Sequence, residues 1–232
     1  GFGDDIQILG DYYSIDRGKV YYGNEILEGA NPKTAELIGF SLLKDDKNVY
    51  YMGEKIKDVK IKNFEKLGQN YWKNDNKIYY RDKKIENADI MSFKVLNEDY
   101  AKDKNKAYYI NFMAGKDEMV KELKGLNPKN FKVLNPYYTK DDKKVYFSKE
   151  YADIQELQNV DVKSFEALHF ENIENKDDFG KDKNKVYLFG LELKDVKPEK
   201  FQVVKEPITE KIIYVRDENN LFVIFYDYFS GF

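Results

Sequence analysis

The chemistry open to this chain is set first by which side chains it possesses. It carries 42 acidic residues and 20 tyrosines, but a single histidine and no cysteine. Thiolate metal sites, disulfides and cysteine nucleophiles are therefore excluded. A Ser-His-Asp triad would have to centre on His169, which follows Ser164-Phe-Glu-Ala-Leu with no nucleophile motif beside it and reads as a strand end or loop. The acidic pairs Asp45-Asp46, Asp141-Asp142 and Asp177-Asp178 offer oxygen ligands, yet calcium takes about 6–8 oxygens and these carboxylates alternate with Lys47, Lys143, Lys144 and Lys176. They read as solvated turns with local charge compensation, and no metal or cofactor is expected. Glycoside hydrolysis needs two carboxylates facing each other across a cleft, and no spacing in the chain places any two that way. A non-enzymatic protein is the expectation.

Aromatic side chains are the stronger binding candidates. Tyr21, Tyr50, Tyr79, Tyr108, Tyr146 and Tyr187 each open an aromatic or apolar pair, and the first four are spaced evenly by 29 residues. If they line one open face, their rings offer a ladder for stacking on a sugar or for seating an extended partner segment. The alternative is an inner stripe packed beneath neighbouring repeats. Trp72, the only tryptophan, replaces Ser14, Ala101, Thr139 or Gly180 at one position of the repeat, as a packing wedge or a binding anchor.

These residues recur because the chain repeats. Tyr71-Trp-Lys-Asn-Asp-Asn-Lys-Ile-Tyr-Tyr80, Tyr100-Ala-Lys-Asp-Lys-Asn-Lys-Ala-Tyr-Tyr109 and Tyr138-Thr-Lys-Asp-Asp-Lys-Lys-Val-Tyr-Phe147 are copies of one phrase. Asp or Asn (Asp16, Asp45, Asn74, Asp103, Asp141, Asp182) opens a turn. A hairpin with a three-residue loop, such as Asp103-Lys104-Asn105, would set Tyr13, Leu42, Tyr71, Tyr100, Tyr138 and Phe179 opposite the first tyrosine of each pair. The apolar residue before the pair and the second aromatic then turn to the other face and read as core. Always tyrosine, the first position suggests a hydroxyl that finds a partner or water.

A second phrase follows, as in Val59-Lys-Ile-Lys-Asn-Phe64 and Leu126-Asn-Pro-Lys-Asn-Phe131. Asp89, Asn127 and Asp161 at a cap position and Pro128 and Pro198 just after it predict one turn of 3₁₀ helix. Phe-x-x-Leu then forms a third short strand. Three strands are too few for a propeller blade, so the expected fold is all-β: tandem hairpin repeats of about 29 residues in an open, twisted solenoid-like array, with a closed propeller-like arrangement as the alternative. One domain over 1–232 is expected, its six repeats running from 12 to 204 and a degenerate hairpin around Asp217–Asn220 capping the end within 205–232. Insertions interrupt the later repeats at Tyr151–Gln158 and Glu171–Asp177, and Ala114–Lys124 has the Met119/Leu123 spacing of a short helix.

The phrases Lys102-Asp-Lys-Asn-Lys-Ala-Tyr-Tyr109 and Lys181-Asp-Lys-Asn-Lys-Val-Tyr187 resemble the DKNYY family of bacterial repeat proteins. Gly18 in the first turn, Leu188 in place of the second tyrosine and the insertions depart from its pattern. The resemblance implies a secreted or cell-envelope setting and supplies no catalytic residues.

Partners follow from charge and composition. With a net charge of −3 and lysine outnumbering arginine 36 to 3, nucleic acid is not expected. The longest apolar run, Leu221–Tyr226, is too short to span a bilayer, which takes about 20 residues, and the residues from Gly1 onward carry neither a charged n-region nor an apolar h-region, so what is present reads as soluble. The function expected is a binding or scaffold module contacting a protein partner through its repeat face and the 111–125 insertion. A carbohydrate-binding module using the tyrosine ladder is the alternative. Strand edges at the ends of the array also leave room for end-to-end self-association.

Overall fold

A computed structural model describes residues 6–59, 61–68, 70–111, 119–148, 154–171, 178–205 and 212–225. These fold into seven small antiparallel sheets, each an open meander of consecutive strands. The first is built from Gln7–Gly10, Tyr13–Asp16, Lys19–Tyr22 and Glu25–Ile26. Glu36–Gly39, Leu42–Lys44, Val49–Tyr51 and Glu54–Lys55 make the second. Glu65–Lys66 to Lys83–Lys84 form the third, Lys94–Val95 to Val120–Glu122 the fourth, Lys132–Val133 to Gln155–Glu156 the fifth and Glu166–Ala167 to Leu191–Glu192 the sixth. Only the seventh is three-stranded, from Gln202–Lys205, Ile212–Arg216 and Leu221–Phe225.

The chain divides into two compact units, one of Gly1–Ile110 with Ala114–Leu123 and one of Asn111–Met113 with Lys124–Phe232. The first unit holds sheets one to four and the second holds sheets five to seven.

Four strands per repeat, rather than three, come from the short segment after the tyrosine pair. A two-residue strand there brings Leu27, Ile56 and Ile85 back to Val20, Val49 and Ile78, whose carbonyls accept their N–H groups at 2.8 Å. Each apolar residue thus closes the repeat over its own hairpin. Val120–Glu122 is the fourth strand of its sheet, pairing with Ala107–Ile110, so the helix expected from the Met119/Leu123 spacing is not formed. Two apolar residues four apart are also compatible with an extended segment that buries Leu123 alone. The remainder of that insertion, 112–118, and the inserted residues 149–153 and 172–177 lie outside the described residues. Of the expected single turns before each Phe, Ile61–Asn63 is 3₁₀ helix, whereas Asp89 to Ser92 and Asn127 to Asn130 each close one hydrogen-bonded turn.

Hairpin register differs from the expectation by one residue. Tyr13, Leu42, Tyr71, Tyr100, Tyr138 and Phe179 stand opposite the second residue of each pair: Tyr22, Tyr51, Tyr80, Tyr109, Phe147 and Leu188. Loop parity is the reason. The Asp103 N–H donates to the Lys106 carbonyl at 2.8 Å, which makes the loop four residues long, Asp103 to Lys106. In the first repeat Arg17 and Gly18 form a two-residue loop with φ of 47° and 71°. Both lengths are even, so all six hairpins share one register, and a shift by one would invert every side chain.

Within each unit the sheets stack face to face. One face of a sheet carries the apolar residue before the pair, the second aromatic and the first-strand aromatic; it packs on the next sheet's opposite face, which carries the first tyrosine. Tyr13, Val20 and Leu27 of the first sheet accordingly share a core with Leu43 and Tyr50 of the second. Leu42, Val49 and Tyr51 do the same with Trp72 and Tyr79 of the third, and Tyr138, Val145 and Phe147 with Tyr187 of the sixth. Sandwiching explains why Val-Tyr-Tyr is buried at three consecutive positions when a half-solvated strand would alternate.

Candidate functional site

Burial decides what the singled-out aromatics can do. Tyr50, Tyr79, Tyr108, Tyr146 and Tyr187 are 5% exposed or less, and of the six only Tyr21, on the first sheet, is half-buried. The ladder is an inner stripe and not an open face on which a sugar or peptide could stack. Trp72 is buried as well: its ring lies on Tyr79 at 4.0 Å and 5°, and its Nε1 donates to the Arg81 carbonyl at 2.7 Å. It acts as a packing wedge, and the indole N–H is satisfied as a buried tryptophan requires.

The first tyrosine has a defined hydroxyl partner, the aspartate that opens its own turn. Asp103 Oδ1 accepts the N–H groups of Asn105 and Lys106 at 2.7 and 2.8 Å, and Oδ2 accepts the Tyr108 hydroxyl and the Asp89 N–H, both at 2.8 Å. Asp182 repeats the pattern with Asn184, Lys185, Tyr187 and Asp161. Asp45 does so with Lys47, Asn48, Tyr50 and Asn31. Asp141 and Asp217 keep the turn and linker N–H bonds. One buried carboxylate therefore fixes the turn, holds the tyrosine and staples the linker entering its sheet. Burial pushes the Asp103 carboxyl up, but the Asp89, Asn105 and Lys106 N–H groups and the Tyr108 hydroxyl outweigh it and hold it below the usual carboxylate range. The same contacts raise the phenols, Tyr108 well above its ordinary value by burial and the Asp103 charge and Tyr50 to about 12 by burial and Asp45. Oxygens ringed by N–H and O–H donors do not present lone pairs to a cation.

The residue after each stapling aspartate is matched in charge to the linker. Lys104 and Lys183 pair with linker Asp89 and Asp161 at 2.6 and 2.8 Å. Where the linker has Asn31 or Asn127, Asp46 and Asp142 take that turn position and accept the amide. In the seventh sheet Glu218 occupies it and pairs with Lys200. Turn and linker change together from repeat to repeat within one chain.

One group of exposed apolar side chains lies on the turn edge of the first three sheets. Tyr12, Phe40 and Met52 are 78%, 56% and 50% exposed, in the turns that join strands of the first two sheets. Tyr12, Tyr22 and Met52 line a shallow cleft of about 540 Å³, together with Asn24, Glu25 and Glu54. The Arg81 guanidinium lies 5.1 Å from the Phe40 ring, and this edge is braced by Tyr13, whose hydroxyl donates to the Ser41 carbonyl and accepts the Gly53 N–H. Tyr12 and Met52 have left-handed φ of 70° and 50°, a conformation that costs bulky residues roughly 1–2 kcal/mol. Phe40 beside Gly39 and Met52 beside Gly53, in turns that favour polar residues, are a signal in the sequence that lies outside the repeated aspartate and tyrosine positions.

Comparison with curated proteins and with solved structures found no match. A profile of the DKNYY family matches residues 3–53, 71–118 and 138–229. It thus covers most of the chain, including the turns where aspartate, lysine and tyrosine have the structural tasks just described. The chain belongs to the DKNYY family.

Proposed function

We propose that this chain is a non-enzymatic binding or scaffold module that contacts a protein partner through the turn edge of its first three sheets. The observation that carries the reading is the exposure of Tyr12, Phe40 and Met52 along that edge, in a chain whose other repeated aromatics are spent on packing. Two of the three hold left-handed backbone conformations that Gly or Asn would adopt at less cost, and strain retained at an exposed apolar position supports a use for the side chain. We place the module in the bacterial envelope or secreted space, on the family resemblance alone. We take its repeats as an open, solenoid-like array, which the face-to-face stacking inside each unit supports. The test is capture from envelope extract with the intact chain and with Tyr12→Ser/Phe40→Ser/Met52→Asn. One protein retained by the first and lost by the second is expected. An unchanged catch, or none with either, would overturn the reading.

A carbohydrate is the second reading, favoured by the cleft, where two tyrosine rings adjoin Asn24, Glu25 and Glu54. A glycan array probed with the intact chain and with Tyr12→Ala decides it: signal lost in the variant supports a sugar, and no signal dismisses it.

A further inference from the structure

The sheets have two unlike faces, and among the described residues the first and the seventh sheet each expose apolar side chains on one of them. On the first sheet Ile8, Ser14, Tyr21 and Ile26 lie directly opposite one another across the four strands and share one face. This is the first-tyrosine face, which the second, third and sixth sheets bury against the sheet before them. Here Ile8 is 74% and Ile26 38% exposed, and Tyr21 is half-buried. On the seventh sheet, Asp217 aligns Leu221 with Val49, Ala107, Val145 and Val186, each four residues after its stapling aspartate and each 0% exposed. Leu221 is 63% exposed, Val223 46% and Phe225 68%. These three alternate with the inward-facing Phe222 and Ile224, which pack with the sixth-sheet core. The exposed face of the seventh sheet is therefore the second-aromatic face.

Those are the two faces that pack on each other inside each unit. In the cores shared by the first and second, second and third, fifth and sixth, and sixth and seventh sheets, a first-tyrosine face covers a second-aromatic face, and a second copy of the chain presents one. The geometry points to head-to-tail association, with the Leu221/Val223/Phe225 face of one copy seated on the Ile8/Tyr21/Ile26 face of the next. The contact is heterologous: each copy uses both surfaces, and nothing in the pairing limits the number of copies. It uses neither Phe40 nor Met52 and stands or falls separately from the turn-edge reading.

Two blocked variants test this, Ile6→Glu/Ile8→Glu on the first face and Leu221→Glu/Val223→Glu on the last. Circular dichroism establishes that each is folded, and Ile8→Lys or Val223→Lys alone replaces a pair that is not. In sedimentation velocity the intact chain is expected to grow in mass with concentration, and each variant alone to stay monomeric. An equimolar mixture of the two should form a dimer and stop there, since one good face of each kind remains. An intact chain that is monomeric at every concentration overturns the inference. So does association that persists in either variant alone, or a mixture that forms no dimer, because both results place the contact elsewhere or make it two-fold.

Discussion

A tyrosine hydroxyl buried against a carboxylate and one buried against nothing are opposite investments, and this chain contains both at the same repeat position. Tyr108 donates to Asp103 at 2.8 Å, whereas the Tyr146 hydroxyl is buried without a hydrogen-bond partner. Tyr108→Phe is expected to cost about 1.5–3 kcal/mol, the range for a hydrogen bond to a charged group. Tyr146→Phe should leave stability unchanged or raise it by up to about 1 kcal/mol, because it removes an unsatisfied polar atom. Urea melts of the two variants compare them directly, and equal losses would contradict the assignment. Asp103→Ala, which orphans three N–H groups and a hydroxyl, should cost more than Tyr108→Phe in the same assay. That an aspartate opens each turn and that the first tyrosine needs its hydroxyl were legible from residue types alone. That the two bond to each other was not, because their contact spans five residues and depends on a loop length that the sequence leaves open.

At the scale of the strand and its turn, the same position tolerates Ala in one repeat and excludes it in another. Ala101 and Gly180 occupy equivalent sites on the face turned to the preceding sheet, and both are fully buried in their sheets. A Cβ on Gly180 would stand 2.6 Å from Phe165 Cζ, closer than atoms can pack, so Phe165 must give way. Gly180→Ala should therefore destabilise by roughly 1–3 kcal/mol, as overpacking of a filled core does, and a thermal melt at neutral pH would show it. An unchanged midpoint would mean that Phe165 relocates freely. Met52→Asn runs the other way, relieving a left-handed φ of 50° and raising stability by about 0.5–1 kcal/mol. If the turn edge binds a partner, the same substitution weakens binding while it stabilises the fold. Strand existence was readable from the repeated Tyr pairs, and the hairpin around Asp217–Asn220 forms as its pattern implied. The register was not, since an odd and an even loop differ by one residue that both fit the Asp-Lys-Asn phrase. The two-residue fourth strand was also beyond reach, being too short to show alternation and held mainly by the apolar residue that follows it.

For the molecule as a whole, the stacked sheets bury so many phenols that alkaline titration becomes a readout of the fold. Burial raises the pKa of Tyr13, Tyr71, Tyr79, Tyr108, Tyr138, Tyr146 and Tyr187 above the ordinary value, and that of Tyr50 and Tyr80 to about 12. An open tyrosine ladder, which the sequence left as one of two arrangements, would show no such effect, because exposed phenols ionise at about pH 10. Above that pH the unfolded chain has released protons that the folded chain still holds, so the unfolded state binds fewer and stability falls as pH rises. Below it the contribution of these phenols is fully present. Asp103 has the reverse sign: its lowered pKa stabilises above the ordinary carboxylate value of about 4 and is lost as pH falls through that region. A stability plateau between about pH 4 and pH 10 is the expected result. On its alkaline side each protected phenol steepens the decline, so phenolate absorbance should lag behind that of free tyrosine and then rise together with the loss of β-sheet ellipticity. A smooth titration near pH 10 with ellipticity intact would mean that the phenols reach solvent in the folded protein, and would reopen the ladder as a binding surface.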